Sequence, residues 1–89
     1  MERFADEVTE EIYWTRFAPN LDQHLSVKAH RILRPLVAAR GLRDVGIFGP
    51  ILRFQNSPGR LGVEVEGKWH LTFRWVEGEG PFEIKFERR

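Results

Sequence analysis

The clearest order in the chain lies between residues 61 and 86, where apolar and polar side chains alternate. Leu61-Gly-Val-Glu-Val-Glu66 and Trp69-His-Leu-Thr-Phe-Arg-Trp75 are joined by a tight turn at Glu66-Gly67, and Phe82-Glu-Ile-Lys-Phe86 follows Glu77-Gly-Glu-Gly-Pro81. A period of two places Leu71, Phe73 and Trp75 on one face, and His70, Thr72 and Arg74 on the other. The pattern predicts strands over about 61–66, 69–76 and 82–87, joined as two hairpins. A shorter candidate strand covers 51–55, before the turn Asn56-Ser-Pro-Gly59.

The first half of the chain has a helical period instead. Residues 6–17 predict a short amphipathic helix with Val8, Ile12 and Tyr13 inward, stopped by Ala18-Pro19-Asn20. A second helix starts near Asp22 or Ser26 and runs toward Arg40. Its apolar stripe is Leu25, Ala29, Ile32, Leu33, Leu36 and Val37, with Gly41 as the expected C-cap. Pro35 either kinks this helix or divides it, and the in-phase stripe favours a kink. Residues 41–50 read as a loop with the short apolar insert Ile47-Phe48. Two helices followed by three or four mainly antiparallel strands define an α+β domain spanning 1–89.

Composition narrows what such a domain does. At 89 residues and 42% hydrophobic, with three Trp and seven Phe, the chain has the material for one core and is not a disordered segment. The absence of cysteine excludes disulfides, thiolate metal sites and a cysteine nucleophile. No stretch reaches the roughly 18 apolar residues of a membrane span. The acidic start Met1-Glu-Arg-Phe-Ala-Asp-Glu7 does not resemble a signal peptide, so the expected location is the cytoplasm.

The net charge of +1 conceals an asymmetry. Residues 1–26 carry six acids and two bases, whereas 27–45 carry five bases and one acid. Lys28, Arg31 and Arg34 form a basic stripe on the second helix. This is either a solvated face or a contact for an anionic partner, because local potential governs anion binding.

His24, His30 and His70 lack metal-ligand spacing, since His24 and His30 are six residues apart. The glycine-rich segments are hairpin turns, and none joins a strand to a helix as a phosphate loop does. No metal or other cofactor is expected. The polar strand face is the better candidate for chemistry. His70 is the candidate titrating group. Arg74 and Lys85 suit phosphate, unless they simply pair with Glu64, Glu66 or Glu83 across the sheet. Arg53, Arg60, Lys68, Arg88 and Arg89 extend the cationic surface. Trp69 and Trp75 read as core or sheet-face aromatics.

Val63-Glu-Val-Glu-Gly-Lys-Trp-His-Leu-Thr-Phe-Arg-Trp75 resembles the central hairpin of HigB toxins, a branch of the RelE/ParE superfamily, with its pattern I-R-I-N-x-x-W-R-[IL]-x-F-x-W. The resemblance extends to Phe4-Ala-Asp6, Thr9-Glu10 and Ile12-Tyr13 against an SFxDxxTExIF opening. Ala38-Ala39 with Leu42-Arg-Asp44 is similar to an AAxxLxDL helix end, and Phe82-Glu-Ile84 to a VEI strand. The chain departs from the family where His70 replaces an arginine, where Arg53-Phe-Gln-Asn56 replaces LKGD, and where Phe86-Glu-Arg-Arg89 replaces a DYH ending.

The resemblance implies a RelE-like fold and the toxin of a type II toxin–antitoxin pair. Such a toxin is a metal-independent endoribonuclease cutting mRNA on the ribosome, silenced by a cognate helix-turn-helix (HigA-like) antitoxin. On this reading Arg53, Arg60, His70 and Arg74 form the catalytic set. Lys28, Arg31, Arg34, Lys68, Lys85, Arg88 and Arg89 contact RNA. The alternative is a RelE-fold protein without nuclease activity that binds an RNA or protein partner, with gyrase inhibition, as in the ParE branch, a third option.

Overall fold

A computed structural model describes residues 2–89. Two helices, α1 (Glu7–Thr15) and α2 (Gln23–Ala38), precede a short α3 (Leu42–Val45) and a 3₁₀ turn, Gly46–Phe48. The chain then forms β1 (Leu52–Arg53), β2 (Arg60–Glu66), β3 (Trp69–Val76) and β4 (Gly80–Arg88). All four strands pair antiparallel in the order β1-β2-β3-β4. The fold is α+β, as the sequence predicts. No helix among the described residues is long and apolar enough to cross a membrane.

The helices cover one face of the sheet. Leu61, Val63, Val65, Leu71, Phe73, Ile84 and Phe86 meet Ile12, Leu25, Ala29, Leu33, Leu36 and Val45 in one buried cluster. Ile32 and Val37 pack at its margin. Trp69 stacks on Phe86 with ring centroids 4.8 Å apart.

Local chemistry sets the helix ends. Asp6 caps α1, its Oδ1 accepting the Thr9 amide at 2.9 Å, and Arg16 closes the helix in a left-handed conformation. Asp22 caps α2 through the His24 amide. This helix continues through Pro35, which is exposed, so the split does not occur. Its C-cap is Ala39 in an extended conformation rather than Gly41, because Gly41 instead opens α3. Asp44 explains the difference: its carboxylate accepts the amides of Arg40 and Gly41 and so starts a new helix where a loop was expected.

A second difference concerns which side of α1 faces inward. Val8 is exposed, while Thr9 and Ile12 are buried. The Thr9 hydroxyl accepts the Phe86 amide at 2.9 Å and satisfies an edge donor of β4. At Glu83 and Ile84 that edge is covered by the N-terminal segment, where Phe4 bridges Ile84 in parallel and Ala5 donates to the Ile84 carbonyl. Strand β1 is shorter than predicted, and β4 is longer at both ends.

Candidate anion-binding cleft

The strand face turned away from the helices carries Arg60, Gly62, Glu64, His70, Thr72, Arg74, Lys85 and Glu87, as the cross-strand register requires. It is not an open plain. Phe54, from the loop after β1, lies over Gly62 so closely that a Cβ there would come within 2.8 Å of the ring. The Arg89 guanidinium stacks on Phe54 at 4.6 Å, and the His70 ring meets Phe54 edge-on at 6.0 Å. Thr72 and His70 are consequently buried.

A bulge shapes the β4 side of this face. Thr72 pairs with Lys85 and Arg74 with Phe82, so Glu83 and Ile84 together oppose Phe73. Glu83 takes a positive φ of 51°, which is unfavourable for a side chain larger than glycine. Its carbonyl turns toward Arg60 Nη2 and accepts a short hydrogen bond. Arg60 Nε donates to the Thr72 hydroxyl at 3.0 Å, and Nη2 also reaches the Thr72 carbonyl. Arg60 thus holds both sides of the bulge.

The Thr72 hydroxyl passes the connection on by donating to Glu87 Oε2. Glu87 lies among three cations: Arg89 Nη2 at 3.2 Å, Lys85 Nζ at 3.9 Å and Arg60 Nε at 4.0 Å. Burial alone would raise its pKa, but the Thr72 hydroxyl and the Arg89 and Lys85 charges outweigh it. The carboxyl therefore sits below the ordinary value and is ionised at neutral pH. Arg60 is lowered from its ordinary value, chiefly by burial and against the pull of Glu87 and Glu83, yet remains a cation.

These groups line a cleft of about 410 Å³ bounded by Glu2, Phe4, Ala5, Arg60, Glu83, Lys85, Glu87 and Arg89. Its cations and carboxylates balance, so any affinity for anions comes from unused donor capacity. Among the described residues the Lys85 ammonium makes only its 3.9 Å contact with Glu87, and two guanidinium donors are unused. Arg60 Nη1 makes no hydrogen bond there, and Arg89 Nε is buried with no acceptor. An orphaned guanidinium donor beside a cleft is a direction in which an anion or an ordered water completes the structure. No group of three or more His, Asp or Glu side chains suited to a metal ion occurs among the described residues.

The remaining sequence candidates scatter. Arg60, Lys85 and Arg89 converge on the cleft, whereas His70 points elsewhere, with its Nδ1 2.8 Å from the Lys68 carbonyl. Arg74 pairs with Glu83 at 2.9 Å. Arg53, Lys68 and Arg88 are exposed outside the cleft lining. On α2, Lys28 binds Glu66 at 3.1 Å, Arg34 stacks on Tyr13 at 4.7 Å and Arg31 is exposed. Lys28 and Arg31 line a separate groove with Gln23, His24, Val27 and Glu66. Glu87 is the functional candidate that sequence reasoning passed over. The alternation Lys85, Glu87, Arg89, running off the end of β4, was the signal that marked it.

The chain matches no protein-family model and no curated protein.

Proposed function

We propose that this protein is a HigB-like toxin that cleaves ribosome-bound mRNA without a metal ion, and that the cleft around Glu87 is its active site. The observation that carries the reading is the convergence of Arg60, Lys85 and Arg89 on one ionised carboxylate, with guanidinium donors left unused. Cleavage by an RNA 2′-hydroxyl needs a proton acceptor, cations for the phosphorane and a proton donor for the leaving 5′-oxygen. Glu87 takes the hydroxyl proton, and the Arg60 and Arg89 guanidinium charges, with the unbonded Arg60 Nη1, stabilise the phosphorane. Lys85, the ammonium on the cleft wall, donates to the leaving oxygen. A cytoplasmic location and a helix-turn-helix antitoxin partner belong to the same proposal.

The burial of His70 under Phe54 favours a second reading, a protein of the same fold that binds RNA without cutting it. The groups that remain in the cleft include a carboxylate held below its ordinary value, which is a weak base. Primer extension on translated mRNA separates the two. The toxin reading expects new 5′ ends only in the presence of ribosomes, and their loss in Glu87→Gln with RNA binding retained. Translation block without new ends in the wild type supports the binder. Neither cleavage nor RNA binding removes both.

A further inference from the structure

The outward face of α1 has a chemistry opposite to that of the cleft. On the 3.6-residue repeat, Trp14 lies one turn from Glu10 and Glu11 and two turns from Glu7. These four residues share the side opposite Thr9 and Ile12, which face the core. Trp14 is 65% exposed, and Phe17, just past the helix, is 49% exposed. Tyr13 packs edge-on against the Trp14 ring, centroids 4.8 Å apart, and fixes the indole from one side.

Favourable placement near the positive helix end accounts for Glu7 and Glu10. It does not account for Glu11 or for a solvent-facing tryptophan. Among the described residues Glu7, Glu10 and Glu11 form no ion pair, whereas Glu66, Glu83 and Glu87 are all paired. Guanidinium groups cover Phe82, Tyr13 and Phe54, but none covers Trp14. The face thus presents an uncovered indole, the best aromatic surface for a cation, collared by three unpartnered carboxylates. Tryptophan is also among the residues that most often dominate protein interfaces.

We infer that this α1 face is a docking surface for an arginine- or lysine-rich segment of a partner protein, with Trp14 as its anchor and Glu7, Glu10 and Glu11 as its charge complement. The same carboxylates repel a phosphate backbone, so nucleic acid is not the occupant. The surface lies on the helix side of the sheet, away from the strand face that carries Lys85 and Glu87. A protein held there is compatible with an occupied cleft, and the inference stands independently of what the cleft does.

The test uses the full chain and a short fluorescein-labelled peptide of arginine and leucine, read by anisotropy at physiological ionic strength. Saturable binding is expected, weakened about tenfold or more by Trp14→Ala. Glu10→Gln with Glu11→Gln should weaken it further at low salt than at high salt. Glu77→Gln with Glu79→Gln, in the exposed β3–β4 turn, should leave it unchanged. Absence of saturable binding, equal binding by Trp14→Ala, or an equal loss in the turn variant overturns the inference. So does sedimentation showing a wild-type dimer that Trp14→Ala dissolves, because the occupant is then a second copy of this chain.

Discussion

Arg60 Nε and Glu87 Oε2 lie 4.0 Å apart, and the Thr72 hydroxyl bridges them, accepting from the guanidinium and donating to the carboxylate. One buried hydroxyl therefore joins the residue that holds the β4 bulge to the carboxylate at the centre of the cleft. Neither charge is freely hydrated: the side chains are 12% and 18% exposed.

Thr72→Val keeps the shape of the side chain and removes both hydrogen bonds. Leaving a buried donor and acceptor unsatisfied costs about 1–3 kcal/mol. Urea unfolding of the variant should show that loss through a lower midpoint with an unchanged slope. An unchanged midpoint would mean that the bridge contributes nothing to stability.

Thr9→Val makes a comparable change on the other side of the sheet. It strips the Phe86 amide of its acceptor in a buried position, and a loss of about 1–3 kcal/mol is expected. Hydrogen exchange at the Phe86 amide should accelerate by more than at the amides of β3, because the opening is local to the β4 edge.

The pH dependence follows from Glu87. Its carboxyl is lowered in the folded protein from an ordinary value of 4.5, despite burial, by Thr72, Arg89 and Lys85. Its contribution to stability is complete above about 4.5 and disappears as the pH falls through the lower folded value. Glu66 shifts in the same direction through Lys28 and His24. Unfolding midpoints measured from neutral pH into acid should decline below this point, and Glu87→Gln should flatten the decline. An unaltered acid limb in Glu87→Gln would refute the assignment.

Lys85→Ala tests the cleft as a phosphate site. Under the RNA reading, each lost phosphate contact lowers the slope of log affinity against log salt by roughly 0.7 for a single strand. Arg88→Ala, whose exposed side chain lies outside the cleft lining, should leave the slope unaltered. Equal slopes in wild type and Lys85→Ala would remove the cleft from RNA binding.

Alternation made the two hairpins legible, because a strand with one buried face prints its period directly into the sequence. The α2 stripe was equally clear. The inward side of α1 was not, since Thr9 counts as polar in any pattern while its hydroxyl serves as a buried acceptor for β4. Gly41 suggested a helix end, and only the Asp44 carboxylate, acting on two amides, shows that it begins one.

The site was half legible for a related reason. His70, Thr72 and Arg74 do share a face, but exposure depends on Phe54, which arrives from a loop whose path no periodicity records. The bulge at Glu83 is similarly invisible to a period of two, although it sets what Arg60 can reach.

The hydrogen bond from Phe86 to Thr9 spans 77 positions of the chain. During synthesis, α1 is therefore complete long before the strand that anchors it has been made. Closing so long a loop is entropically unfavourable until β3 and β4 have paired, so the helix must wait for the sheet. Until β4 arrives, the core side of α1 has no sheet to pack on, and it is among the last surfaces to be sealed.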